Sequence, residues 1–155
     1  MTPTRARPLL VLGAVGATVG WSVTRLVDAY AGRSLPVPWT APVVMALLAV
    51  ALVLWARGTR ARLARRPGTT PIDPLVAART AALAMAGSRT GSAVAGFYLG
   101  VALALSGSWG IAYVRDLVLL ALATVVASGA VVAASLWLER VCRIPPGPPG
   151  EQSTP

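Results

Sequence analysis

Four apolar runs alternate with short polar breaks along the chain. The first is Leu9 to Thr24, continuing helically to about Tyr30, and Arg5 and Arg7 precede it. Ser34-Leu35-Pro36-Val37-Pro38-Trp39 follows, held extended by its prolines. Thr40 is placed to cap the next helix, and Pro42 falls in its first turn, where a missing N–H costs nothing. The second run is Ala41 to Ala56. Trp39 and Trp55 flank it, and their separation corresponds to about 24 Å of helix. That is close to a hydrocarbon thickness with an indole at each interface. Asp73-Pro74 is a strong helix start, and Leu75 to Ser106 contains no proline. The pattern predicts one long third helix. Its first half is amphipathic and carries Arg79 and Arg89, and its second half enters the membrane at about Gly87. Ser106 to Gly110 reads as a turn. The last run, Leu117 to Leu138, has no charge and lies between Tyr113 and Trp137. Glu139 to Arg143 ends it, and a Pro/Gly tail over 144–155 is expected to be disordered or polyproline-like.

These elements predict an all-α fold: a four-helix transmembrane bundle of two helical hairpins joined by a basic cytoplasmic loop. Residues 1–143 form a single domain, with spans at about 9–29, 40–56, 87–106 and 116–138. Ala29-Tyr30-Ala31 has the form of a signal-peptide cleavage site. Trp21, Arg25 and Asp28 stand between it and the apolar run, too long and polar a stretch for such a leader, so the first helix is expected to be retained.

Composition sharpens the picture. Hydrophobic residues are 55% of the chain and charged residues 12%, about half the proportion a soluble domain carries. The net charge is +9, and all 14 basic residues are Arg. Eleven of them fall on the N-terminal, central and C-terminal connections; Arg25, Arg33 and Arg115 fall on the other side. That asymmetry predicts cytoplasmic termini and a multi-pass protein of the cell inner (plasma) membrane. Arginines grouped between apolar runs suit anionic lipid headgroups and not nucleic acid. One cysteine, Cys142, leaves no internal disulfide, and the absence of His removes most metal sites. No carboxylate lies within a span, and no phosphate-cradling loop or Ser/His pair is present. No cofactor and no enzymatic activity are expected.

Three sets of residues are candidates. Small residues recur every four positions at Ser88, Ser92, Gly96, Gly100 and Ala104, and again at Gly16 and Gly20 and at Gly129 and Ala133. Such ridges let backbones approach in lipid. Packing within the chain accounts for them, and a homodimer through the third span is the functional alternative. Arg25 with Asp28, and Arg115 with Asp116, could form one neutral cluster at the outer face or act as plain interfacial anchors. The basic central stretch either fixes topology or binds a lipid headgroup or a phosphorylated partner.

The stretches Ile72 to Ala84, Ser88-Arg89, Ala95 to Gly100 and Ala133 to Pro146 resemble an actinobacterial domain-of-unknown-function family. Its members are small four-span membrane proteins often encoded beside folate-biosynthesis genes. The resemblance implies no assigned activity, but it puts weight on Asp73, Arg79, Arg89, Glu139, Arg140 and Arg143. These suggest a cytoplasmic collar in which Arg89 pairs with Glu139; ordinary helix-end anchoring explains them equally. The function expected from the residues is a non-enzymatic accessory or scaffold protein. It would present a basic surface to membrane lipids or a protein partner. The alternative is a small dimeric transporter or channel.

Overall fold

The computed structural model describes residues 6–32, 36–64 and 74–141. It contains four long helices: α1 (Ala6–Ala31), α2 (Thr40–Ala64), α3 (Pro74–Leu105) and α4 (Ala112–Val141). A short 3-10 turn, Ser106–Ser108, links α3 to α4 where the sequence predicts a turn. All four helices are long and apolar enough to cross a membrane, over Arg7–Ala31, Thr40–Gly58, Ala82–Ser108 and Ala112–Arg140. The fold is an all-α four-helix bundle, as expected. The tail over 144–155 lies outside the described residues.

Two boundaries differ from the expectation. The central basic stretch begins as helix, because α2 continues through Arg57, Arg60 and Arg62 to Ala64. Arginine is among the better helix formers, so a charge run beyond the hydrocarbon need not end a helix. At the other end α4 begins at Ala112, a full turn before Asp116.

The helices pack in the order α1–α3–α4–α2. Among the described residues α1 and α2 make no close backbone approach, so the first hairpin is one by connection and not by packing. The connection must therefore cross from the α1 flank to the α2 flank. Pro36 and Pro38 favour the extended path this needs. Val37 between them is buried against Val101, Ala102 and Leu105 of α3 and Val114, Leu117, Val118 and Ala121 of α4. It closes that end of the α3–α4 pair.

The α1–α3 seam is built from absent side chains. A Cβ on Gly96 would fall on the carbonyl oxygen of Gly13, and one on Gly20 on that of Phe97. One on Gly16 would stand 2.5 Å from the carbonyl oxygen of Ala93, and one on Gly100 2.8 Å from the amide of Trp21. The two predicted ridges thus pack against each other within one chain. Ser92 Oγ adds a cross-helix hydrogen bond, donated to the Leu9 carbonyl at 2.5 Å. The opposite face of α3 packs on α4 in the same way. A Cβ on Gly87 would be 2.6 Å from Ser135 Oγ, and one on Gly91 2.9 Å from Val132 Cγ2. Ser128 and Ser135 are buried in this seam with their hydroxyls unpartnered. Gly129 instead faces open space.

A contrast between glycines checks this packing. Gly96→Leu should destabilise the protein in detergent by about 2 kcal/mol or more, since a rigid backbone must move to admit it. Gly129→Ala should be neutral or stabilising, gaining helix propensity without a clash. Thermal unfolding followed by helix signal reads both; equal melting temperatures for the two variants would contradict the seam.

Candidate functional site

The seams fix the depth of the charges on the described parts of the helices. Gly87 opposite Ser135, and Ala84 packed with Leu138, set the antiparallel register of α3 and α4. Gly13 against Gly96, and Ala17 against Gly100, set the parallel register of α1 and α3. Ala56 of α2 packs with Ala84 and Leu138. The start of α1, the end of α2, the start of α3 and the end of α4 therefore share one end of the bundle. This is the arginine-rich end.

At that end Arg89 and Glu139, two of the collar residues, are not level. The α3–α4 register carries Arg89 to the level of Ala133 and Glu139 to the level of Leu83. That is a stagger of six residues, about 9 Å along the axis. Arg89 is exposed, beside the first turn of α1, and lies deeper in the bundle than Glu139, which is half-buried. Arg140 is exposed in the last turn of α4. Asp73 and Arg143 lie outside the described residues, as does the side chain of Arg79 on α3. Trp137 packs on the small cluster of Ala56, Ala84 and Leu138, so it fills the bundle as well as marking its edge.

The opposite rim is level but divided. Continuing the two registers puts Arg25 of α1 beside Ser108, and Arg115 and Asp116 of α4 beside Gly107 and Ser106. Arg25, Asp28, Arg115 and Asp116 are all exposed. They form two pairs on opposite flanks of α3, because α1 and α4 make no close backbone approach among the described residues. Both arginines stand at the carboxyl end of α3, where the helix dipole favours positive charge. The Arg25 guanidinium lies over the Trp21 ring, 5.5 Å from its centroid. A cation over an indole is stabilised further where water is scarce.

Beneath Arg25 runs a groove of about 310 Å³ between α1 and α3. Ala17, Thr18, Trp21, Ser22, Gly100 and Leu103 line it. Thr18 donates its hydroxyl to the Ala14 carbonyl at 2.9 Å, so the lining is largely apolar. Sequence reasoning missed this groove, although the spacing of Thr18, Trp21, Ser22 and Arg25 along one helical face is its signature. It also missed Val37 and the Gly87–Gly91 face, which repeats the four-residue spacing half a helix turn away from the predicted ridge.

The stagger at the basic end generates a prediction. In a double-mutant cycle on Arg89 and Glu139, the coupling should stay within about 0.5 kcal/mol, the additivity expected of separated sites. Unfolding free energies of the two single variants and the double variant measure it, and a larger coupling would restore the collar.

Neither a curated protein nor a solved structure matches the chain. A family model described as "Protein of unknown function (DUF3180)" matches residues 9–146, from the first apolar run to the prolines after α4. The match takes in all four apolar runs, and the chain accordingly belongs to the DUF3180 family.

Proposed function

We propose that this protein is a non-enzymatic accessory or scaffold protein of the inner (plasma) membrane, with both termini in the cytoplasm. It presents the arginine-rich end of its bundle to anionic lipid headgroups or to a protein partner that binds there. The observation that carries this reading is the segregation of charge. The helix ends brought together at one end of the bundle bear Arg7, Arg57, Arg60, Arg62, Arg89 and Arg140, and Arg65 and Arg66 follow α2 in the sequence. Each arginine near an anionic surface contributes about 1 kcal/mol, so a group of this size holds an orientation firmly. The helical continuation of α2 carries part of the group beyond the hydrocarbon, where a partner can reach it. An actinobacterial origin and a gene neighbourhood of folate-biosynthesis genes belong to the same reading, and would make an enzyme or transporter of that pathway the partner to look for.

Transport by a small dimer is the second reading, and the groove beside Trp21 and Arg25 is the observation in its favour. Against it, the groove lies on one flank of the bundle. The α3–α4 seam is filled by Val101, Val131 and Leu138, all almost fully buried.

Topology and partner capture test the proposal together. Reporter fusions should place residues 57–70 in the cytoplasm. Replacing Arg57, Arg60, Arg62, Arg65 and Arg66 by Gln should leave a detectable fraction of molecules inverted. It should also strip anionic lipid or a specific protein from the tagged protein purified out of native membranes. A connector found outside the cell, or a variant that co-purifies the same lipids and proteins in the same amounts, would refute the reading.

A further inference from the structure

At the rim opposite the basic surface, one face of α1 changes character in a fixed order. Ala17, Thr18, Trp21 and Ser22 line the apolar groove together with Gly100 and Leu103 of α3. Arg25 comes next, seated over Trp21, and Asp28 follows. From Thr18 a step of three or four residues reaches Trp21 or Ser22, a further such step reaches Arg25 and the next Asp28, so they form one continuous stripe along the helix. Arg25 and Asp28 are separated by about 4.5 Å of helix rise. Moving outward from the bundle centre, the stripe reads apolar, then positive, then negative.

A phospholipid with an aminoalkyl headgroup presents the complementary series in the same direction: hydrocarbon, then phosphate, then ammonium. We propose that the α1–α3 groove with Arg25 and Asp28 is a seat for one phosphatidylethanolamine-type lipid in the leaflet facing away from the 57–70 connection. The acyl chain lies in the groove, where none of the described residues covers the exposed faces of Trp21 and Leu103. Arg25 donates to the phosphate oxygens, held in place by the indole beneath it. The Asp28 carboxylate accepts from the ammonium. The order of charges selects among headgroups. A glycerol headgroup brings the phosphate but leaves Asp28 without a cation. A choline headgroup brings a cation that has no N–H to donate. A second copy of this chain would have to offer hydrocarbon, anion and cation in the same sequence along one ridge. Between its charged ends the exposed residues of α4 are all uncharged: Leu119, Leu122, Ala123, Val126, Gly129, Ala130 and Ala133. This site lies at the other end of the molecule from the surface of the proposed function, so the two readings fail independently.

Lipid retention in purified protein tests the seat. The full chain is reconstituted in nanodiscs of equimolar dioleoyl-phosphatidylethanolamine, -phosphatidylglycerol and -phosphatidylcholine. It is then released into the gas phase, and the bound lipids are identified by native mass spectrometry. The wild type should retain the ethanolamine lipid about fivefold over each of the others, the preference that one charge-assisted contact supports. Arg25→Gln should lower retention of all three lipids, and Asp28→Asn should abolish the preference while leaving the phosphate contact. Ser22→Phe, which fills the groove, should reduce bound lipid of every class. Arg25 and Asp28 are exposed, so their variants should keep the wild-type melting temperature, and they decide the matter even where Ser22→Phe misfolds. Equal retention of the three lipids by the wild type would overturn the proposal. So would Arg25→Gln and Asp28→Asn variants that bind like the wild type, or a lipid-free dimer that cross-links through this face.

Discussion

Backbone-to-backbone contact across glycine is the constraint on which the rest of the molecule depends. Lipid tails are as apolar as leucine, so burying large side chains between helices gains little in a membrane. What remains is dispersion at close approach, and that requires small side chains at the contact. α3 supplies small residues on two opposite faces, Gly96 and Gly100 toward α1 and Gly87 and Gly91 toward α4. It thereby becomes the axis of the bundle. Among the described residues α1 approaches the other helices through α3, and α2 is placed by its contact with α4. The share of each apolar stretch buried inside the chain follows that order, 39% for α3 and α4 against 11% for α1 and α2.

Close approach also fixes registers, and registers fix charge. Because Gly96 must meet Gly13 and Gly100 must meet Ala17, α1 cannot slide along α3, and Arg25 is held level with the carboxyl end of that helix. The α3–α4 seam delivers Arg115 and Asp116 to the same level on the far side. The contacts that hold the bundle together thus arrange two separate charged pairs at one rim. They also stagger the arginines of the other rim through several ångströms of depth. The long run of α4 carries no charge, and Arg89, which the register places level with Ala133, is exposed and not buried in a seam.

The sequence made the four helices legible because hydropathy is a property of each segment by itself. The four-residue recurrence of Ser92, Gly96 and Gly100 likewise announced a face that approaches another backbone. It did not name the partner: Gly129 and Ala133 carry the same spacing, yet Gly129 meets nothing. Spacing along one helix says nothing about register between two, which is why Arg89 and Glu139 looked level and are staggered. The outer charges were individually visible, but their division into two pairs follows from packing order, a property of the whole. Val37 gave no periodic signal, being one apolar residue between two prolines. Its burial follows only once α1 and α2 are known to sit on opposite flanks, which forces their connection over the end of α3 and α4.

That packing order also says how the basic surface is carried. α2 touches the bundle through a narrow line, Ala49 and Ala56 buried seven residues apart, while Val43, Val44, Leu47, Val50 and Leu54 stay exposed to hydrocarbon. In hydrocarbon those large side chains gain almost nothing by leaving lipid for protein, so they do not pull the helix further in. The arginines at the end of α2 therefore ride on the helix with the thinnest attachment along its membrane span, and the attachment is firmest at Ala56, one residue before Arg57. Ala56 is completely buried among Ala84, Leu138 and Trp137, the residues that also end the apolar zone of α3 and α4. The base of the basic extension is thus pinned at the membrane boundary, and from there the helix continues outward to Ala64. Such an arrangement projects positive charge from a fixed point. The proposed role, meeting lipid headgroups or a partner at the membrane surface, is one that this geometry serves better than a helix buried on all sides.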